Sequence, residues 1–244
     1  MIDLHCHIYP GVDDGPISLE ETRAMLDIAV TEGIRTIIAS HHFSEEDHTV
    51  ETYLDAIQEG KSQVQPLIDD LSADIKILDG AEVFISPNII HIKDLKKLCI
   101  NNSRYLLIEL PMMDIPIYTE DVVYSLKING ITPIIAHPER NRRIVHEPST
   151  LEPLINLGAL AQVNTGSITG LFGKHVRKTA KKLIKKNMIH ALGSDAHSPR
   201  RRGPYMKEAA RQLTKWAGSH AARRILHTIP EAIINDGYIE VSDK

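Results

Sequence analysis

The chain has 244 residues, of which 42% are hydrophobic and 25% are charged, and its formal net charge at pH 7 is −4. This composition is ordinary for a globular protein and argues against a disordered chain, a coiled coil or a collagen-like repeat. A near-neutral chain has no overall attraction to nucleic acid or to an anionic membrane, so we expect neither as a partner.

Seven short apolar runs, rich in isoleucine, leucine and valine, recur along the chain. Nearly continuous runs of this kind are typical of strands buried in a parallel sheet. We therefore predict strands over residues 2–8, 36–42, 75–84, 105–110, 132–137, 160–165 and 189–195.

Helices are predicted between these runs. Ser18 and Glu21 form a capping box at the start of the first helix, with Ser18 as N-cap. Ser149 and Glu152 repeat that pattern further along, and a glycine is expected to end each of these two helices. The glycine stops are at positions 33 and 158, and further helices are predicted over residues 119–129, 174–186 and 205–216.

Alternating strands and helices are typical of a parallel α/β fold, either a closed barrel or an open, doubly wound sheet. Carboxylates or imidazoles lie at or beside the C-terminal ends of six of the seven runs. A barrel collects those ends in one ring, whereas an open sheet spreads them along an edge. We therefore predict one domain over residues 1–244, a distorted (β/α)7 barrel with its site at the C-terminal ends of the strands.

Histidine is over-represented, with 13 residues beside 3 phenylalanines and 1 tryptophan, and it is the commonest metal ligand in proteins. In the motif His5-Cys6-His7, alternate side chains of a strand share a face, so both imidazoles project together. The motif Asp195-Ala-His197 follows the last apolar run with the same alternation. Either motif alone is also compatible with a surface histidine or a helix-capping aspartate.

Three further ionisable residues, Glu82, Glu109 and His137, end apolar runs. Desolvating such groups is costly, and shared metal coordination compensates for several of them in one barrel mouth. Imidazoles mixed with carboxylates, without cysteine on the relevant face, favour manganese, iron or zinc over a thiolate site. Carboxylates can bridge ions, so we expect two or three metals, a number suited to phosphoryl transfer.

Other catalytic chemistries find little support. A cysteine-dependent phosphatase needs C-x5-R, but Val12 and Tyr105 stand where arginine would follow Cys6 and Cys99. The motifs of P-loops, dinucleotide-binding folds and nucleophile elbows do not occur.

Two cysteines are too few for a disulfide framework, which fits a reducing compartment. Asp3 stands where a secretory signal needs a basic region. No apolar run approaches the roughly 18 residues of a membrane-spanning helix. We therefore expect a cytoplasmic protein without membrane insertion, with its oligomeric state left open.

Spacing does not choose between the neighbours Asp13 and Asp14, or between His41 and His42. The constellation as a whole resembles the polymerase and histidinol phosphatase (PHP) superfamily, and its local motifs are similar to the bacterial metal-dependent tyrosine-protein phosphatases. The resemblance runs from residue 1 to beyond residue 230. Its motifs are MIDLHCH (1–7), DDG (13–15), LIE (107–109), AHPER (136–140), QVN (162–164) and SDAH (194–197).

This resemblance implies a distorted (β/α)7 barrel that holds about three divalent ions, usually manganese, with iron, zinc or magnesium as alternatives. It implies a phosphatase whose partner is the phosphotyrosine-bearing tail of an autophosphorylating bacterial kinase that controls capsule and exopolysaccharide synthesis. It selects Asp14 and His42 from the adjacent pairs and leaves the role of His41 open. The implied ligands are His5, His7, Asp14, His42, Glu82, Glu109, His137, Asp195 and His197.

Arginine binds phosphate through a planar fork of donors. Arg140 lies three residues after His137, and Arg202 lies in an arginine triplet just past His197. The resemblance gives both arginines a phosphate-binding role, and His42 and His197 join them as catalytic candidates. Two alternatives stay open: a phosphatase of small esters such as histidinol phosphate, and a kinase-docking module with a vestigial site. The basic stretch 174–186 is expected to be the outer face of a helix, with a docking face for an acidic partner as the alternative.

Overall fold

The computed structural model describes residues 1–71 and 74–239, so residues 72–73 and 240–244 of the predicted domain lie outside it. The described strands are all parallel and form a three-stranded sheet, β1-β2-β4, and a curled six-stranded sheet, β3-β5-β6-β7-β8-β9. Their bounds are β1 (Ile2–Cys6), β2 (Thr36–Ala39), β3 (His42–Phe43), β4 (Lys76–Asp79), β5 (Glu82–Phe84), β6 (Tyr105–Glu109), β7 (Thr132–Ala136), β8 (Leu160–Asn164) and β9 (Ala191–Gly193).

Two of the seven predicted strands, 36–42 and 75–84, are wrong as continuous elements. Each is broken into two strands, the first break at residues 40–41 and the second at 80–81. At each break the chain leaves the three-stranded sheet and enters the six-stranded one, so its outer neighbour changes: β2 also pairs with β1, and β5 also pairs with β6. The pairing between the two broken segments continues across the breaks, because Gly80 N–H donates to Ala39 O and Glu82 N–H donates to His41 O. The apolar pattern continues across both breaks, which is why the sequence does not reveal them.

Helices surround the sheets. The Ser18 hydroxyl accepts a hydrogen bond from Glu21 N at the start of α1, and Gly33 ends this helix with φ 75°, both as predicted. The other half of the predicted capping box is wrong, because Glu21 Oε2 accepts from Ile17 N and not from Ser18 N. The basic stretch forms α7, which buries Leu183 and Ile184 and exposes its lysines, as expected of an outer helix. The helices are α1 (Leu19–Glu32), α2 (Val50–Asp69), α3 (Thr119–Ile128), α4 (Arg142–His146), α5 (Glu152–Asn156), α6 (Thr165–Thr169), α7 (Lys174–Lys185), α8 (Lys207–Ala217), α9 (Ser219–Arg223) and α10 (Ile229–Ile234), with short 3₁₀ turns and a π-helical turn (Arg224–Thr228) between them.

The second predicted capping box is wrong. Ser149 lies inside a 3₁₀ turn (Pro148–Leu151), and its hydroxyl contacts Glu147 Oε1 at 3.4 Å instead of capping a helix. Helix α5 begins only at Glu152, without a side-chain cap. Pro148 explains the difference, because proline favours the first position of a helical turn and so starts this one before Ser149.

Helix α2, with 20 residues, is not among the predicted helices. Gly60 and Pro66 lie inside it, and both residue types weaken a helical pattern. Gly60 is nevertheless needed for packing, because a Cβ at this position would lie 2.7 Å from Tyr9 Cβ. Tyr53 of the same helix donates its hydroxyl to Gly80 O at 2.8 Å. Helix α2 therefore packs against the chain after β1 and contacts the break between β4 and β5.

The hydrophobic core has two parts that follow the alternation of the strands. Leu106 and Ile108 of β6 belong to the larger part, together with the buried residues of α1, α3 and α7. Leu107 belongs to the smaller part, with Ile134, Leu160 and residues of α10. The smaller part thus occupies the face of the sheet opposite the outer helices, and polar side chains follow it at the C-terminal ends of the strands. No helix of the described residues combines the length and the apolar character that crossing a membrane requires.

Candidate metal centre

All nine candidate ligands lie in one cluster. Four overlapping groups of side chains contain them, and within each group the potential ligand atoms lie within 4.8 Å of one another. The groups are connected because His5, His7, His42 and Glu82 each belong to two of them. They are His7, Asp14, His42 and His197; His5, Glu82 and His137; His5, His7 and Asp195; and His42, Glu82 and Glu109.

Glu82 lies at the middle of the cluster and is fully buried. Its Oε1 is 2.8 Å from His137 Nε2, in hydrogen-bond geometry. Its Oε2 is 3.1 Å from both His5 Nε2 and His42 Nδ1 and 3.4 Å from His7 Nε2. This oxygen nevertheless has no hydrogen-bond partner, which is costly for a buried carboxylate. A buried carboxylate oxygen without a hydrogen bond, surrounded by imidazole nitrogens, is suited to a shared cation, so the residues present fit a metal centre.

The electrostatics of the cluster also favour cations. Burial alone would lower the pKa of His7, but the Asp13 and Glu82 carboxylates outweigh it and raise this pKa to about 10. Burial likewise opposes protonation of His137, but Glu82 raises its pKa to about 9. Burial and the nearby Glu82 also raise the pKa of Glu109. A field that stabilises protons at these atoms stabilises metal ions there as well, and bound ions displace the protons.

Both candidate phosphate-binding arginines lie beside a candidate ligand. Arg140 Nη1 donates to Asp195 Oδ2 at 2.8 Å, and Arg202 Nη2 lies 2.6 Å from the same oxygen. The Phe172 ring is stacked beneath them, with its centroid 4.4 Å from Arg140 Cζ and 5.9 Å from Arg202 Cζ. Two forks of donors therefore converge at one side of the cluster.

The two adjacent aspartates have different environments. Asp14 is exposed, and its Oδ1 lies 3.2 Å from His197 Nε2 and 3.5 Å from His42 Nε2, facing the cluster. Asp13 lies behind the cluster and accepts hydrogen bonds from His7 Nδ1 at 2.6 Å and His42 N at 2.9 Å. The geometry thus favours Asp14 as a ligand and Asp13 as the residue that orients His7.

His41 lies next to Asp13, behind the cluster of candidate ligands. Its ring is buried, its Nε2 accepts a hydrogen bond from Tyr9 N at 3.1 Å, and its Nδ1 lies 2.9 Å from Asp13 Oδ1. Asp13, His7 and His41 also form a fifth group of potential ligand atoms. Burial lowers the pKa of His41, which favours a neutral ring. The contacts of His41 therefore support Asp13.

Strand β8 supplies a polar face to which no role was assigned from the sequence. Gln162 Oε1 is 3.1 Å from His5 Nδ1, and Gln162 Nε2 donates to Asn164 Oδ1 at 2.9 Å. Asn164 Nδ2 in turn donates to Asp195 Oδ2 at 2.5 Å. This chain of hydrogen bonds orients two candidate ligands, the kind of support that metal-binding histidines and carboxylates usually have. The alternation of Gln162 and Asn164 in an apolar strand is the signal that could have revealed it.

The backbone departs from regular geometry where candidate ligands leave their strands. His137 and Asp195 have positive φ angles of 29° and 53°, a conformation that costs non-glycine residues free energy and that clusters at functional sites. At Gly193, a Cβ would lie 2.5 Å from His5 Cβ and 2.8 Å from Gln162 Nε2. Glycine therefore permits the close approach of β9 to the strand that carries His5.

Comparisons with known proteins agree with this site. The tyrosine-protein phosphatase YwqE of Bacillus subtilis (strain 168) is 38% identical over 222 residues, which cover 90% of this chain and 86% of that protein. A solved structure of the metal-dependent tyrosine phosphatases YwqE from Bacillus subtilis and CpsB from Streptococcus pneumoniae matches with a TM-score of 0.88 and 35% identity, covering 98% of this chain and 96% of that chain. The histidinol phosphate phosphatase of Lactococcus lactis matches with a TM-score of 0.54 and 15% identity, over 90% of this chain and 94% of that one, a likeness of fold alone.

The family described as capsular polysaccharide synthesis, CpsB/CapC, matches residues 1–235. This match covers nearly the whole chain and includes every candidate ligand and both candidate arginines. It confirms the family resemblance that the sequence motifs indicate. The chain therefore belongs to the CpsB/CapC family of capsular polysaccharide synthesis proteins.

Proposed function

We propose that this chain is a metal-dependent protein-tyrosine phosphatase. The observation that carries this proposal is the buried Glu82 Oε2, which has three imidazole nitrogens within 3.4 Å and no hydrogen bond. Two arginines beside Asp195 add the donors that a phosphate group needs. Membership of the CpsB/CapC family, with relatives named as tyrosine-protein phosphatases, supports phosphotyrosine as the substrate.

We further propose that the two sheets form one distorted (β/α)7 barrel in a single domain. If β2 with β3 and β4 with β5 each count as one bent strand, the nine strands reduce to seven. A parallel bridge between Cys6 and Ala196 supports closure, because it joins the end of β1 to the segment that follows β9. Closure at this seam would bring the C-terminal strand ends into one ring.

The proposed centre holds about three divalent ions, with manganese as the first choice and iron, zinc or magnesium as alternatives. Four overlapping donor groups and a mixture of imidazoles with carboxylates support this number and this type of metal. When bound, such ions polarise a phosphoryl group and activate water near neutral pH. The residues proposed to hold them are His5, His7, Asp14, His42, Glu82, Glu109, His137, Asp195 and His197.

The protein's own side chains bind the phosphate and assist the departure of the ester oxygen. Arg140 and Arg202 orient the phosphate and stabilise the charge that develops on its oxygens. Burial and the nearby His7 lower the pKa of His197 to about 3, which keeps this imidazole neutral and able to act as a ligand. His42 is 40% exposed and is the imidazole more accessible to the ester oxygen of the substrate. Since free tyrosine has a pKa of about 10, this oxygen leaves more readily than a serine alkoxide and needs only weak acid assistance.

The proposed partner is the phosphotyrosine-bearing tail of a bacterial tyrosine kinase that controls capsule and exopolysaccharide synthesis, and the proposed location is the cytoplasm. The family description, capsular polysaccharide synthesis, supports this assignment. The net charge of −4 gives no reason to add nucleic acid as a partner.

The test is turnover of a phosphotyrosine peptide by the full chain, with manganese and after chelation, and by the His137→Ala variant. We expect activity only for the manganese-loaded wild type and for His175→Ala, a control that removes an exposed histidine of α7. Equal rates with and without metal would refute the metal mechanism. Faster turnover of histidinol phosphate than of the peptide would favour the small-ester alternative, and kinase binding without turnover would favour the docking module.

A further inference from the structure

A pocket lies beside the arginines and contains none of the candidate ligands. Its volume is about 280 Å³, and its walls come from α6, the segment after it and the loop before α8. The side chains that matter for its chemistry are Thr169, Leu171, Phe172, Arg202 and Tyr205.

Arg202 lines the pocket, and Arg140 lies against Phe172, which also lines it. The Arg202 guanidinium lies 2.6 Å from Asp195 Oδ2 and 5.9 Å from the centroid of the Phe172 ring, which also lines the pocket. The same ring lies 4.4 Å from Arg140 Cζ. A phosphate held by these two arginines would therefore have the pocket as its immediate neighbour, on the Phe172 side.

The lining has the character of a site for an aromatic group. Leu171 is 57% exposed and Tyr205 is 49% exposed, so both present side-chain surface to a ligand that enters the pocket. Together with Phe172 they offer apolar and aromatic surface, on which a further ring packs well in an offset or edge-to-face arrangement. The volume is just below the range of roughly 300–1,000 Å³ that is common for small-molecule pockets, so it suits one ring-sized group.

We propose that this pocket binds the aromatic ring of the substrate phosphotyrosine while Arg140 and Arg202 hold its phosphate. The proposal rests on the proposed function and adds to it a reason for selectivity. The phosphate of a phosphoserine residue would reach the same arginines, but its short side chain would leave the pocket unfilled. Leu171, Phe172 and Tyr205 would thus be specificity-determining residues.

Two variants test the pocket without touching the candidate ligands or the arginines. Thr169→Trp fills it, since Thr169 is exposed and lines it, and Leu171→Ala removes part of its wall. Ile128→Ala is the matched control, because Ile128 is 67% exposed and lies on α3, away from the pocket lining.

The probes are phenylphosphonate, a non-hydrolysable phosphate analogue with a ring, and inorganic phosphate. Binding of each to the manganese-loaded full chain is measured by calorimetry. We expect Thr169→Trp to weaken phenylphosphonate binding about ten-fold or more and to leave phosphate binding within about two-fold, because each factor of ten needs only about one buried ring contact. Leu171→Ala should weaken phenylphosphonate selectively by a smaller factor, and Ile128→Ala should change neither ligand.

Equal effects on both probes, or no effect of either pocket variant, would overturn the proposal. Thermal melting identifies a variant that fails to fold, and Leu171→Ala then decides alone. The outcome is separable from that of the proposed function. If the wild type does not hydrolyse phosphotyrosine peptides but the variants still discriminate phenylphosphonate from phosphate, the pocket stands and the phosphatase assignment fails. If peptides are hydrolysed and the variants do not discriminate, the pocket assignment fails.

Discussion

The different environments of Asp13 and Asp14 give a sharp prediction, because Asn can replace either residue without a change in shape. Asp13 Oδ2 faces the N–H groups of His7 Nδ1 and His42, while its Oδ1 accepts from Gly15 N at 3.0 Å and faces His41 Nδ1 at 2.9 Å. Three N–H groups therefore donate to the two oxygens, and His41 Nδ1 lies close to Oδ1 without a hydrogen bond. In Asp13→Asn one oxygen becomes an NH₂ group, and in either orientation of the amide at least one N–H donor faces this group.

The size of the effect follows from the role of Asp13. Supporting residues behind metal-binding histidines typically contribute a factor of about 10 to 100 in metal affinity or activity. That factor corresponds to about 1.4 to 2.7 kcal/mol of binding free energy. We expect Asp13→Asn to lower manganese affinity by this factor and to keep the number of ions bound. Asp14→Asn, at an exposed position that faces the cluster, should instead reduce that number and leave the metal-free stability nearly unchanged.

The assay is a manganese titration of chelated protein, with total metal per chain measured after removal of free ions. Thermal melting of the metal-free proteins serves as the control for folding. If Asp13→Asn lost an ion while Asp14→Asn kept all of them, the assignment of the two aspartates would be reversed. Wild-type affinity and stoichiometry in both variants would refute the reasoning from their environments altogether.

Four further changes have expected outcomes. Gly193→Ala should push His5 aside and lower stability by about 1–3 kcal/mol and manganese affinity with it, whereas Gly237→Ala, whose nearest neighbours lie at 3.4 Å, should change neither in melts and titrations. Burial and the nearby Arg224 lower the pKa of His190 from 6.5 to about 4. The stability that neutral His190 provides is therefore fully present above pH 6.5 and is lost as the pH falls towards 4, because protonation is easier in the unfolded chain. Denaturant unfolding should therefore show the wild type losing about 3 kcal/mol relative to His190→Asn across that window, and parallel pH profiles would contradict it. Arg140→Lys should lower kcat/KM for a phosphotyrosine peptide about ten-fold or more while the protein stays folded, because lysine lacks the planar fork; unchanged kinetics would remove Arg140 from phosphate binding. Chelation should lower the melting temperature, since ions at 100 times their Kd add about 2.7 kcal/mol to the folded state, and an unchanged melt would contradict tight binding.

The positions of several candidate ligands could be predicted from the sequence because these residues lie at or near the ends of apolar runs. A buried strand is almost free of ionisable residues, so Glu82, Glu109 and His137 stand out at run ends even though their partners lie far along the chain. The parallel arrangement then places these ends at one edge of the fold. Pattern and topology are enough to predict this part of the site.

The residues that orient the candidate ligands, Asp13, His41 and Gln162, are harder to predict, because their roles depend on contacts between parts of the chain that are distant in sequence. Asp13 and Asp14 are the same residue type at adjacent positions, so residue pattern and spacing alone do not distinguish the one behind His7 from the one that faces His197. The alternation of Gln162 and Asn164 shows that β8 has a polar face, but it does not identify His5 as the partner of Gln162, because that contact spans 157 positions. The role of such residues depends on register and packing, which local patterns do not contain.

Several departures from regular strand geometry lie at candidate ligands, and there is a physical reason for this. Neighbouring strands lie about 4.8 Å apart, but ligands of one ion must bring their donor atoms closer together than that. His5 Nε2 and His7 Nε2 are 3.2 Å apart, and the register of β1 shifts between Asp3 and Cys6, around His5. Strands β3 and β5 each begin at a candidate ligand immediately after a break, and two more candidate ligands have a positive φ. Two of the predicted strands are therefore interrupted next to candidate ligands, because converging side chains require the backbone to bend there. Local propensity and hydrophobic pattern describe the interiors of the strands. They do not describe the residues at the candidate site, where the geometry depends on contacts between distant parts of the chain.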